Sequence, residues 1–290
     1  MSGVALRFDD VRFRYPSGTE ALRGVSLSIA AGERVAIVGQ NGAGKTTLVR
    51  HLNRIFVPTS GTVTVGDRPT SGSTIAQMAA LVGYVFQNPD EQIFARTVVA
   101  DVMFGPRNLG AGEEEARERA LAALTTVGLA DQADAHPHQL SLSERKRVAL
   151  AGVLAMRTPV LVLDEPTTGQ DARGVEMIAR VVAEVSAEGR TVVAITHDMD
   201  FCVEHFDRVI VMTQGEVRAD GTPEQVFGRG DVIEAARVEP PQLMRLAARL
   251  GWAERPRTVD AFVDAVPGRG DVGGAGDRGG AGGPGASAGA

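Results

Sequence analysis

Apolar and polar residues alternate with a period of two in VALRFDDVRFRY (4–15) and again in ALRGVSLSI (21–29), which predicts two early antiparallel strands ending in the loop AAGE. The pattern then changes. VAIVG (35–39) is a short continuous apolar run that breaks into a glycine-rich loop, with a helix predicted from about Gly44. TVTV (62–65) reads as a further strand and LVGYVF (81–86) as another apolar run. EEEARERALAALTTVG (113–128) has the spacing of an amphipathic helix with three acids in its first turn, where the helix dipole favours them. PVLVLDEP (159–166) and TVVAITHD (191–198) are buried-strand candidates that each end in charged or polar residues. Strands alternating with helices predict an α/β fold with a mainly parallel sheet and ligands at the strands' C-terminal edge.

Beyond residue 230 the pattern weakens. The sequence predicts a main domain over 1–230 and a short helical extension over 231–266, centred on PPQLMRLAARLGW. The glycine-rich stretch 267–290 buries too little apolar surface to offset chain entropy and is predicted to be disordered. No internal repeat is present.

Composition narrows the classes. Apolar residues make up 43% and charged residues 23%, ordinary values for a water-soluble globular domain. A net charge of −6 argues against a nucleic-acid partner, which calls for a basic excess. The longest apolar run, VALAGVLAM (148–156), is far short of the ~20 residues of a membrane-spanning helix. The N-terminal MSGVALRFDD lacks the apolar run of a secretion signal. The single cysteine, Cys202, excludes an internal disulfide, fits a reducing compartment and is expected to be a small buried apolar group.

The candidate chemistry begins with GQNGAGKT (39–46), which fits G-x-x-x-x-G-K-[ST] between a predicted strand and a predicted helix. Gly39, Asn41, Gly42 and Gly44 let backbone amides wrap closely around phosphate oxygens. Lys45 is placed for the β- and γ-phosphates, Thr46 for Mg²⁺, and Thr47 beside them is a further candidate nucleotide contact. Asp164, at the end of PVLVLD, is a candidate Mg²⁺ ligand acting through water, and Glu165 beside it a candidate general base; alone, the two acids could equally cap a turn. His197 after TVVAIT is either structural or a γ-phosphate and water contact. Gln87 after LVGYVF is either a surface residue or a contact to Mg²⁺ and water. Tyr15 in RFRYPSG is either packing or a ring for adenine to stack on.

Taken in order, GQNGAGKTT, the glutamine of VFQNP, LVLDEPTTGQD and the histidine of THD resemble the ATP-binding cassette (ABC) ATPases over residues 4–230. The resemblance implies a P-loop nucleotide-binding domain with a RecA-like core sheet, an antiparallel β subdomain and a helical signature subdomain. It implies ATP hydrolysis with ATP and Mg²⁺ as cofactors, and sites shared between two such chains. It also places LSLSE (140–144) where the family carries its signature, usually LSGGQ, and puts Asp171 in a loop coupling the two sites.

Ser141 with Glu144 forms a capping box, so a helix is expected to start there with its amides free to face an anion. Ser143 replaces a glycine, which reduces close backbone approach, but a helical φ at that position needs no glycine. Its hydroxyl is then a possible donor to the phosphate. Glu144 replaces the usual glutamine and brings negative charge to the site. Arg145–Arg147 is expected to be a solvated helix face.

FQNPDEQIFARTVVADVMFGPRNLG (86–110) and PPQLMRLAARLG resemble one branch, the ATPases of energy-coupling factor transporters, including the cobalt-uptake type. That resemblance implies a peripheral subunit on the cytoplasmic face of the cell membrane. Its partners would be a transmembrane scaffold, a small substrate-binding membrane protein and a second ABC ATPase, identical or not, driving import of a vitamin or a transition-metal ion such as cobalt or nickel. Asp90 and Glu91 are candidates to pair with basic residues of the scaffold, or form a solvated acidic turn. The alternatives are the ATPase of another transporter class, which the 86–110 segment disfavours, or a soluble ABC ATPase, which usually carries two cassettes or a long insertion.

Overall fold

The computed structural model describes residues 2–266, so the predicted disordered tail, 267–290, lies outside the described residues. In chain order the first elements are β1 (Leu6–Arg14), β2 (Glu20–Ile29), β3 (Arg34–Val38), α1 (Lys45–Val49), β4 (Ser60–Val65), β5 (Arg68–Pro69), α2 (Ile75–Ala79) and β6 (Val82–Val85). Next come α3 (Val98–Asn108), α4 (Glu113–Thr126), α5 (Leu142–Met156), β7 (Val160–Asp164), α6 (Ala172–Ala187), β8 (Thr191–Ile195) and α7 (Met199–His205). The chain continues with β9 (Arg208–Thr213), β10 (Glu216–Gly221), α8 (Pro223–Phe227), α9 (Gly230–Ala236), α10 (Gln242–Arg249) and α11 (Val259–Asp264).

Two sheets result. β2-β1-β4-β5 is antiparallel throughout, and the alternation read from β1 is its observed burial: Leu6, Phe8, Val11 and Phe13 point inward between exposed neighbours. The six-stranded sheet runs β10-β9-β3-β8-β7-β6 and is parallel except for β10. Its inner strands β7 and β8 are buried at every residue, which is why they read as unbroken apolar runs rather than alternation. One apolar cluster, including Phe8, Leu22, Ile37, Leu48 and Val162, joins the inner faces of both sheets to α1. α6 lays Met177, Ile178, Val181, Val182 and Val185 on the parallel sheet, the stripe expected of an amphipathic helix. α3, α4 and α5 pack on one another as a separate helical layer. Cys202 is fully buried, and burial pushes its thiol far above the usual range, in keeping with a small apolar group.

The helix after Gly44 is α-helical only to Val49. His51, Leu52 and Arg54 then donate to carbonyls three residues back, tightening the chain, and Arg54 at φ 60° ends it. The first compact unit runs to Gln242, with α8 and α9 packed on β9 and β10. The second unit begins at Leu243; within it Trp252 stacks on Phe262 at 4.8 Å.

Candidate active site

Because β3, β6, β7 and β8 are parallel neighbours, the residues that follow them meet at one edge of the sheet. The loop after β3 turns in a conformation that needs glycine. Gly39 has φ 145°, and a Cβ there would lie 2.1 Å from the carbonyl oxygen of Met212. Gly44, at φ 101°, is the N-cap of α1 and would meet the Ala21 carbonyl at 2.7 Å. The result is a curled backbone at a helix start, which suits phosphate oxygens.

Lys45 is buried, and its Nζ donates to the carbonyls of Gly39 (2.6 Å) and Gln40 (3.1 Å). Desolvation lowers its pKa, opposed by the carboxylates of Glu165 and Asp164. Thr46 Oγ1 donates to Oδ1 of Asp164 at 3.3 Å. Asp164 is 1% exposed; burial raises its pKa, and hydrogen bonds from Tyr84 and Thr46 hold it back. The next residue, Glu165, is also buried and has φ 52°, a left-handed conformation that stores about 1–3 kcal/mol of strain. Its backbone N–H donates to the Ile195 carbonyl of β8, and its Oε2 lies 2.6 Å from Nδ1 of His197. The His197 amide points at the same oxygen from 3.3 Å. The histidine is thus held by the acid, with its side chain 65% exposed toward the open edge.

Two adjoining cavities open at this edge, of about 330 Å³ and about 440 Å³. Both are lined by Asn41, Gln87 and Glu165; the first adds Gly42 to Thr47, the second His197. The structure therefore brings together Gly39, Asn41, Gly42, Gly44, Lys45, Thr46, Thr47, Gln87, Asp164, Glu165 and His197. The hydroxyl and carboxylate of Thr46 and Asp164 are hard oxygen donors that fit Mg²⁺ when phosphate and water oxygens complete its shell.

Tyr15 lies apart from these cavities. Its ring packs edge-on against Phe13 (5.0 Å) and Phe56 (5.6 Å), while its hydroxyl meets that of Thr47 at 2.8 Å. The signature residues also lie elsewhere. Ser141 caps α5 in a complete capping box, with its amide (2.8 Å) and hydroxyl (2.7 Å) donating to Glu144 Oε2. Those bonds hold the Glu144 carboxyl below its ordinary pKa. Ser143 sits within the helix at negative φ, as its lack of glycine requires. Its hydroxyl donates to Oε1 of Gln170 at 2.8 Å, and Gln170 Nε2 donates back to the Ser143 carbonyl at 3.2 Å. Asp171 caps α6, accepting from the Gly174 amide at 2.8 Å.

Arg145–Arg147 is not a solvated face. Lys146 Nζ donates to the carbonyls of Glu165 (3.2 Å) and Thr168 (2.8 Å), fixing the loop behind the candidate base. Arg145 reaches Asp90 (3.5 Å) and Arg147 reaches the Val127 carbonyl (3.5 Å). Asp90 and Glu91 are exposed but already have partners, since Arg50 stands 3.7 Å from Glu91. Beside them Phe94 and Phe104, 64% and 48% exposed, form an aromatic pair with centroids 4.7 Å apart.

Sequence reasoning missed one buried contact at the centre of the site: Tyr84 of β6 donates to Oδ2 of Asp164 at 2.7 Å. The register gives the signal. Tyr84 pairs with Val162, and Asp164, two residues on, shares its face of the sheet.

The sequence profile of the ABC transporter family matches residues 22–168. An energy-coupling factor transporter ATP-binding protein of Methanothermobacter thermautotrophicus is 44% identical over 84% of this chain and 79% of its own. The structure resembles that of CbiO1 from Clostridium perfringens, described as part of an ABC transporter complex, with a TM-score of 0.70, 38% identity and coverage of 85% of this chain and 98% of that one. It is also similar to the ATP-binding cassette MJ0796, solved as a post-hydrolysis dimer with ADP and phosphate, with a TM-score of 0.70, 29% identity and coverage of 75% and 98%.

Proposed function

This chain belongs to the ABC transporter family, and from that premise we propose that it is the ATP-hydrolysing subunit of an importer of the energy-coupling factor type. The observation that carries the hydrolytic reading is the pairing of buried Glu165 with His197 at 2.6 Å, at the mouth of a phosphate-binding loop. The importer type is supported by the named relatives and by the 86–110 segment. No helix among the described residues is long and apolar enough to cross a membrane, so transport would need membrane partners.

In this reading Gly39, Asn41, Gly42, Gly44 and Thr47 line the phosphate cradle, and Lys45 exchanges its carbonyl partners for β- and γ-phosphate oxygens. Tyr15, tied to Thr47, offers its ring to adenine. Thr46 and Asp164, with Gln87 near, would hold Mg²⁺, which when bound neutralises charge on the phosphoryl group. Glu165 accepts a proton from the attacking water as the new O–P bond forms and the bond from the γ-phosphorus to the bridging oxygen breaks. The bond's electrons leave with ADP. His197 holds Glu165 by Nδ1 and presents Nε2 to the γ-phosphate.

A second ABC ATPase would bring its own signature end to this chain's nucleotide, as Ser141 and Ser143 here would serve the partner's, with Asp171 between the sites. The membrane scaffold would dock by the acidic turn Asp90–Glu91 and the exposed Phe94–Phe104 pair. The Asp90–Arg145 contact is long, at 3.5 Å, and its carboxylate side is open, so a partner's arginine can take over Asp90. The cargo, a vitamin or a cobalt or nickel ion, would be selected by a separate small membrane subunit joined to the scaffold. The chain itself would lie peripherally on the cytoplasmic face.

The test is ATP turnover of the purified full chain with and without Glu165→Gln. Losing the base is expected to lower turnover ~10²–10⁴-fold with ATP binding kept. Turnover near wild type would place the base elsewhere.

A further inference from the structure

The hydroxyl of Tyr84 is buried and donates to Asp164, with the Arg50 guanidinium as a second polar neighbour. A phenylalanine would fill the same space in β6 and keep the packing on Phe86, whose ring lies 4.8 Å away. Burying a hydroxyl is unfavourable unless it is hydrogen-bonded, so the side chain's polar atom is explained by what it holds. It holds one oxygen of Asp164 and not the other.

Oδ2 accepts from Tyr84 at 2.7 Å, whereas Oδ1 faces the hydroxyl of Thr46 across a longer 3.3 Å. The short, buried bond fixes the rotation of the carboxylate about its own axis. Arg50 lies over the Phe86 ring at 5.7 Å, reaches Glu91 at 3.7 Å and interacts with the Tyr84 hydroxyl, so its guanidinium stands beside the same carboxylate mount.

We propose that Tyr84 is a positioning residue for the Mg²⁺ site, securing Oδ2 of Asp164 so that Oδ1 is left toward Thr46 for the ion or its water. This inference rests on the nucleotide–Mg²⁺ reading of the site. Partners that orient a metal-binding carboxylate commonly set metal affinity by one to two orders of magnitude. Tyr84 touches neither the phosphate cavities nor the residues that would meet the phosphates, so ATP binding without the ion does not depend on its hydroxyl.

The experiment is a titration of Mg²⁺ into the ATP-bound full chain, wild type against Tyr84→Phe, read by nucleotide binding rather than turnover. The Mg²⁺ concentration for half-saturation is expected to rise about 10- to 100-fold in the variant, with ATP affinity in EDTA within about twofold. An unchanged half-saturation in a folded variant overturns the positioning role alone. A wild-type chain whose ATP binding ignores Mg²⁺ overturns the nucleotide–Mg²⁺ reading itself.

A second measurement needs no variant at position 84. The chain has two tyrosines, so fluorotyrosine labelling gives two resonances, assigned with Tyr15→Phe. Adding Mg²⁺ to the ATP complex should shift the Tyr84 resonance. A resonance that stays fixed while Mg²⁺ binds overturns the proposal, including when Tyr84→Phe fails to fold.

Discussion

Ser143 and Gln170 exchange two hydrogen bonds between the start of α5 and the loop before α6, and removing them has a calculable cost. Both bonds are neutral and half-buried, worth roughly 0.5–1.5 kcal/mol each. Gln170→Leu breaks both, for an expected loss of about 1–2 kcal/mol, since water reaches the freed Ser143 groups. Ser143→Ala breaks only the 2.8 Å bond, and alanine's better helix propensity returns up to about 0.5 kcal/mol, so its net effect is smaller. The double variant should lose less than the sum of the singles, with a coupling of about 1 kcal/mol. In a chain this long, that is a difference of roughly 2–4 °C in the melting transition, well within the reach of calorimetry and denaturant unfolding. Neither residue lines the phosphate cavities, so ATP affinity of the isolated chain should not move. Additive losses, with coupling below about 0.3 kcal/mol, would refute a stabilising Ser143–Gln170 pair.

His51 and the acidic turn give two more tests. His51 is fully buried, with Nδ1 2.7 Å from the Thr47 carbonyl and Nε2 without a partner among the described residues; burial lowers its pKa from 6.5. Below about pH 6.5 the unfolded chain binds a proton that the folded chain resists, so stability should fall with falling pH by at most about 1.4 kcal/mol per unit. His51→Gln should flatten that slope in urea midpoints between pH 6.5 and 5, and an unchanged slope would exonerate the histidine. Reversing the charge at both Asp90 and Glu91 should reduce recovery of the membrane partner while leaving ATPase turnover of the isolated chain intact. Undiminished recovery would remove the turn from the docking surface.

The strands around the site were legible because each is either one-sided, as in β1, or buried on both faces, as in β7 and β8, and both cases mark the sequence directly. The phosphate loop was legible for a different reason: its glycines answer to backbone geometry that is local in sequence. The contacts that tune the site were not. Tyr84–Asp164 spans 80 residues, Ser143–Gln170 spans 27 and Lys146–Glu165 spans 19, and no periodicity encodes such pairings. Arg145, Lys146 and Arg147 looked like a charged surface because charge is read before packing. In the fold their heads turn back to carbonyls and to Asp90. α8 and α9 were hidden for a related reason, since both are too short to show a helical period.

On the proposed function, this ATPase works beneath a membrane scaffold. The most direct measurement is to tag the chain in its native host, purify it gently from solubilised membranes and identify what accompanies it. The expected result is a multi-spanning membrane protein together with a second ATP-binding chain, whether another copy of this one or a related subunit. Recovery only from the soluble fraction, alone or with ribosomes, would contradict it.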